Sequence, residues 1–137
     1  FEQGYGSQRC GMTEIQHHQK VIKWSQQPSI RSQYPQLKLL YHIGNERKCT
    51  PTQGAQLKKA GIRRGVPDLH LSVARGPYHS LYIEMKTETG DTEPDQDWWI
   101  DELTQEGDYC EVCHGGERAV RVLEWYLSVQ YGGDSPI

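Results

Sequence analysis

An α/β domain built on a mixed sheet flanked by helices is the fold class that the sequence predicts, and three observations predict it. Segments with strand-like alternation and segments with helical periodicity interleave in the order α-β-α-β-β-α-β-α. Two of the strand segments, 68–73 and 81–86, stand close enough to form a β-hairpin. The helices are punctuated by capping residues at their starts and glycines at their ends. At 137 residues and 15.8 kDa, the chain has room for one domain and one core.

The elements follow in order. Residues 1–12 are rich in Gly, Gln and Ser and read as a flexible lead-in, with Met12 a candidate natural start. The single domain is expected over 13–131, with 132–137 a tail. A helix is predicted from Thr13, its N-cap, to Gln26, with Pro28 ending the region. Its apolar positions are sparse, so the face carrying Glu14 and His18 is free to line something polar. The stretch 37–43 reads as a first strand closed at Gly44-Asn45. A second helix has Thr50 as N-cap, Pro51 in its first position, Gln53 completing a capping box, and Gly61 as its stop. After the hairpin, a helix is expected from Glu93 to Glu106, capped by Thr92, with Trp99, Ile100 and Leu103 as its buried stripe. A short strand over 109–113 and a last helix over 117–129 complete the domain.

No apolar stretch approaches the roughly 18 residues of a membrane span, and the start lacks a signal-peptide pattern. A soluble, cytoplasmic protein with no membrane partner is therefore expected. Cys110, Cys113 and His114 spell the C-x-x-C-H of a haem-attachment site. Read as a strand, however, the segment points cysteines three apart to opposite faces, and no second pair completes a zinc site. Neither haem nor zinc is expected. The net charge of −3 is unevenly spread. Residues 38–64 hold Lys38, Arg47, Lys48, Lys58, Lys59, Arg63 and Arg64 against Glu46 alone, whereas 84–111 hold eleven acids against Lys86 alone. A basic lobe beside an acidic one suits phosphate contact next to metal chemistry, though two solvated faces would look the same.

Hairpin geometry supplies the chemistry. With Val73 opposite Leu81, Asp68 faces Lys86 and His70 faces Glu84. One face then collects Leu69, Leu71, Val73, Leu81, Ile83 and Met85, and the other gathers Asp68, His70, Ser72, Tyr82, Glu84 and Lys86. A register slip of two residues preserves this division, and a slip of one destroys it. Two carboxylates under a covering helix need a cation. Lys86 alone can serve, as in any salt-bridged strand pair; a hard divalent ion, for which carboxylates are the natural ligands, is the alternative. The six histidines show no metal-ligand spacing, and His70 on the polar face is a candidate substrate contact.

The segment "GVPDL" (65–69) followed by "YIEMK" (82–86) resembles the two motif halves of the PD-(D/E)XK nuclease superfamily. With Glu14, "YHIGNE" (41–46), "GAQLKKAGIRRGVPDL" (54–69) and "EPDQDWWIDEL" (93–103), the chain resembles the VRR-NUC family, the virus-type replication-repair nucleases, over residues 13–127. That resemblance implies a restriction-endonuclease-like core in which Asp68, Glu84 and the Met85 main-chain carbonyl bind Mg2+, replaceable by Mn2+. It also implies that Lys86 acts on the attacking water, that Glu14 projects toward the same metal site, and that Gln96 supports it. Asn45 and Arg47, with Lys48, Lys58, Lys59, Arg63 and Arg64, are the candidate DNA contacts. The family often has "IPN" after its first strand where this chain has Ile43-Gly44-Asn45. The implied activity is endonucleolytic cleavage of DNA, branched forms such as Holliday junctions foremost, by a homodimer in phage replication, recombination or repair. A flap or restriction-like nuclease, or a DNA-binding module without catalysis, are the alternatives. Trp98, Trp125-Tyr126 and the end of the last helix offer apolar material for a subunit contact.

Overall fold

The computed structural model describes residues 11–44 and 50–130. In chain order the elements are α1 (Glu14–Gln26), α2 (Pro28–Gln33), a 3-10 helix (Pro35–Leu39), β1 (Leu40–His42), α3 (Pro51–Lys59), β2 (Leu69–Leu71), β3 (Leu81–Lys86), α4 (Pro94–Gln105), β4 (Tyr109–His114) and α5 (Gly116–Ser128). The four strands lie in the order β1-β2-β3-β4. The first two pairings are antiparallel and β3–β4 is parallel, so the sheet is mixed, as expected.

Local signals explain most boundaries. Thr13 and Thr50 each accept from the amide three residues on, Gln16 and Gln53, whose side chains return the bond. Two reciprocal capping boxes thereby satisfy amides that the first helical turn leaves without partners. Pro28 does not end the helical region as the sequence suggests; it starts the short α2, because its ring is tolerated in a first turn. Pro35 does the same for the 3-10 helix. Leu37 is therefore a buried helical residue, and the first strand shrinks to Leu40–His42.

The hairpin register differs from expectation by two residues. Leu71 pairs with Leu81, His70 with Tyr82 and Leu69 with Ile83, so His70 does not face Glu84. The connection closes its own turn, with Arg75 bridging Tyr78 around Gly76-Pro77, and Val73 leaves the ladder to bond back to Leu71. An even slip leaves every side chain on its predicted face. Leu69, Leu71, Leu81, Ile83 and Met85 are all buried, and they form the core with Val21 of α1 and Ala119, Val122, Leu123, Tyr126 and Leu127 of α5.

The opposite face is covered by α4, which behaves differently from prediction. Its N-cap is Glu93, while Thr92 donates instead to Asp97 (2.6 Å). Gln96 is its buried residue; Trp99, Ile100 and Leu103 are only half-buried. The face beneath carries Glu84 and Lys86, so the helix buries a polar contact where an apolar stripe was expected.

The approach of α4 is governed by Gly65. Its φ is +91°, and a Cβ there would lie 2.8 Å from the backbone carbonyl of Asp95. The adjacent chain is tied to the same helix by Trp99 Nε1 donating to the Arg64 carbonyl (3.0 Å), with the Arg63 guanidinium 5.0 Å from the Trp99 ring centre. Gly65→Ala is therefore expected to lower stability by about 1–3 kcal/mol, combining positive-φ strain with a backbone clash. A urea unfolding midpoint that stayed at the wild-type value would show that this approach is looser than the geometry says.

Candidate active site

The ends of three strands converge at one end of the sheet. β1 finishes at His42, β2 begins just after Asp68, and β3 finishes with Glu84-Met85-Lys86. Pro67 is buried in front of Asp68, and the Asp68 carbonyl accepts from the Ile43 amide at 2.6 Å, which fixes the backbone. The Asp68 carboxylate accepts from the Met85 amide at 2.9 Å. Glu84 is 2% exposed. Its Oε2 accepts from Gln96 Nε2 at 3.0 Å and lies 3.7 Å from Lys86 Nζ, while its Oε1 is buried without a hydrogen-bond partner. Gln96 is itself held, because its Oε1 accepts from the Glu93 amide at 2.8 Å in the cap of α4. A helix-start signal thus doubles as the device that aims an amide at a buried carboxylate.

The electrostatics are those of a site with too much negative charge. Burial, then the neighbouring Asp68 carboxylate, push the Glu84 carboxyl up to about 9, with Lys86 pulling the other way and Glu14 adding to the rise. Burial also raises Asp68, but hydrogen bonding from His18 and the Met85 amide outweighs it and holds that carboxyl below its usual range. Two adjacent carboxylates thus settle in different states, one charged and one protonated. A divalent cation fits this donor set: it would ionise Glu84 and satisfy its unpartnered oxygen.

Glu14 is exposed at the start of α1 and, with Ile15, His18, His42, Ile43, Gly44 and Asp68, lines a cleft of about 210 Å3 beside this cluster. The fold therefore gathers Asp68, Glu84, Lys86, Gln96 and Glu14. Met85 contributes its amide to Asp68. Lys58 and Lys59 are exposed at the end of α3; Arg63 and Arg64 are exposed in the segment leading to Asp68, with Arg64 3.8 Å from Asp95. Asn45, Arg47 and Lys48 lie outside the described residues.

Residues 12–117 match the VRR-NUC domain. The chain belongs to the VRR-NUC family. A solved structure described as a VRR_NUC domain protein is also similar to this chain, at 26% identity and a TM-score of 0.76, covering 91% of this chain and 98% of that one. No curated protein matches. VRR-NUC domains are nucleases of the PD-(D/E)XK type, and the Pro67-Asp68 and Glu84-Met85-Lys86 halves of that motif meet here as described.

This VRR-NUC domain also departs from the sequence reading. His70 is not free on the polar face: its ring contacts the Tyr41 hydroxyl (2.9 Å) and Ser80 Oγ (3.0 Å), stacks on Tyr82, and Ser80 donates to Asp108 (2.6 Å). The histidines, which show no ligand spacing along the chain, include two that the fold brings together, for His18 and His42 stack at 4.2 Å beside Asp68. The one sequence signal was the placement of His18 a helical turn after Glu14. Burial, then His18, hold the His42 pKa below its ordinary value, against the opposite pull of Asp68. In β4 the Cys110 and Cys113 thiols are pushed by burial to about 11 and about 12, so both are neutral. Among the described residues, no helix is long and apolar enough to cross a membrane.

The raised Glu84 pKa has a sign that can be tested. The folded metal-free protein holds a proton that the unfolded chain releases, so stability present below about pH 4.5 is lost as pH rises toward 9. Glu84→Gln should remove that loss, flattening the fall in chemical-denaturation stability between pH 6 and 8.5 by up to ~1.4 kcal/mol per pH unit in chelator-treated samples. Parallel curves for wild type and variant would mean that Glu84 is already ionised.

Proposed function

We propose that this VRR-NUC domain is a magnesium-dependent endonuclease, with Mn2+ able to replace Mg2+, that cuts branched DNA such as four-way junctions as a homodimer in a phage replication, recombination or repair system. The observation that carries the reading is the buried Glu84 carboxylate with an unpartnered oxygen, set against Asp68 and within 3.7 Å of Lys86. Asp68, Glu84 and the Met85 main-chain carbonyl would hold the ion, with Glu14 reaching it from α1; when bound, it supplies Lewis-acid stabilisation of charge on the scissile phosphate. Lys86 holds the attacking water and balances the charge that builds on the phosphorane, a task suited to a compact ammonium. Gln96 keeps the Glu84 carboxylate aimed, through a bond that ties it to the cap of α4. Lys58, Lys59, Arg63 and Arg64 contact phosphates flanking the cut, and their exposure just upstream of Asp68 supports that role. Asn45, Arg47 and Lys48 are proposed for the turn after β1.

Two-fold symmetry supports the dimer, since a junction presents paired equivalent strands. Two of the aromatics expected at such a contact are exposed, Trp98 and Trp125, 50% and 37% accessible. Tyr126, expected at that contact, is fully buried, and its hydroxyl donates to the Val73 carbonyl.

The test is a panel of labelled junction, flap, splayed-arm and linear duplex DNAs with magnesium, run beside light scattering. Junctions should be cut fastest, by a dimer. A monomer that prefers flaps or free ends would leave a nuclease but remove the junction assignment. Asp68→Ala and Glu84→Ala should abolish cleavage while the fold persists. Lys86→Ala should slow it about 100-fold or more with metal affinity kept, and Lys86→Arg should restore little. A fully active arginine variant would reduce Lys86 to an ion-pair partner of Glu84.

A further inference from the structure

His18, His42 and Asp68 come from three separate elements, α1, β1 and the entry to β2, yet each offers a ligand atom within 4.8 Å of the others'. The two imidazoles are stacked nearly parallel, 17° apart with centres 4.2 Å apart. His18 is 5% exposed and its Nε2 is 3.6 Å from the Asp68 carboxylate. Its Nδ1 is buried and makes no hydrogen bond. That orphan is the ring's other nitrogen; the one that faces the carboxylate is Nε2, and with the His42 ring alongside it brings two imidazoles and a carboxylate together. The cleft of about 210 Å3 lined by these residues gives an ion a way in and leaves room for water to complete its shell.

We propose that His18, His42 and Asp68 form a nitrogen-rich site for a late first-row divalent ion, zinc in the cell and cobalt as its spectroscopic stand-in, next to the carboxylate site and sharing Asp68 with it. Two imidazoles and one carboxylate suit Zn2+ or Co2+, which accept nitrogen ligands, and suit Mg2+ poorly. In a tetrahedral shell with bonds of about 2 Å, ligand atoms stand somewhat over 3 Å apart, so modest side-chain rotation from the observed spacing closes the site. The zinc-type site of this protein thus lies in its histidines and not in the Cys110–Cys113 pair. Sharing has a consequence that rests on the nuclease reading above. An ion drawn to the imidazoles takes Asp68 with it, so zinc is expected to oppose magnesium-supported cleavage.

Cobalt titration of the full chain, followed by visible absorption, tests the binding. Wild type should bind one Co2+ with ligand-field bands of nitrogen ligation that zinc displaces and millimolar magnesium does not. His42→Ala, and the milder His42→Gln at the same exposed position, should each weaken cobalt binding more than about tenfold. Glu84→Gln should leave it intact. Cobalt affinity unchanged in both His42 variants, or lost in Glu84→Gln, would put the ion in the carboxylate site and overturn the proposal. With magnesium present, the ratio of cleavage rates without and with micromolar zinc should fall toward one in the His42 variants. If wild type cut no DNA at all, but cobalt still required His42, the nuclease reading would fail and the histidine site would stand.

Discussion

A carboxylate buried to 2% exposure beside a second carboxylate sets the terms for everything around it. Glu84 cannot stay charged there without help, since burial and Asp68 both favour its protonated form. The surroundings supply partial answers, an amide from Gln96 and an ammonium from Lys86, while the Met85 amide keeps Asp68 charged and so adds to the demand. None of them satisfies Oε1. The site is left short of one positive charge, which is the condition under which a hard cation binds carboxylates well.

That local demand explains features of the fold that would otherwise look unrelated. α4 must approach β3 closely enough for Gln96 to reach Glu84, and it does so over Gly65, where no Cβ stands in the way of the Asp95 backbone. The cap of α4 fixes the far end of the same side chain. Because the polar face of the sheet is spent on this contact, the apolar core is one-sided, lying between the sheet and helices α1 and α5. α5 answers with a strong apolar stripe that includes Tyr126, whose hydroxyl donates to the Val73 carbonyl where the chain leaves the β2 ladder.

The fold is shared with a solved VRR_NUC domain protein at 26% identity. The strand ends, the glycine approach and the glutamine reach are coupled through backbone geometry. Polar residues outside that coupling have found other employment. The chain of contacts from Tyr41 through His70 and Ser80 to Asp108 stitches β1, β2 and the start of β3 together.

Much was legible from residues alone wherever the information is local. The capping boxes at Thr13 and Thr50 act within four residues, and the alternation of Leu69, Leu71, Leu81, Ile83 and Met85 assigns faces whatever the exact register. Asp68, Glu84 and Lys86 could therefore be brought to one end of the sheet from the sequence, and the motif resemblance named Gln96 and Glu14 beside them. Only the tertiary structure decided the rest. The hairpin's two-residue shift depends on the turn that Arg75 and Tyr78 close, and the loss of Leu37–Leu39 from the first strand depends on Pro35 and on a core that takes Leu37. The meeting of His18 and His42 at Asp68 had no spacing to betray it. Ligands on three separate elements are neighbours only once helix and sheet have packed, because their separation along the chain says nothing about the direction in which each element crosses the others.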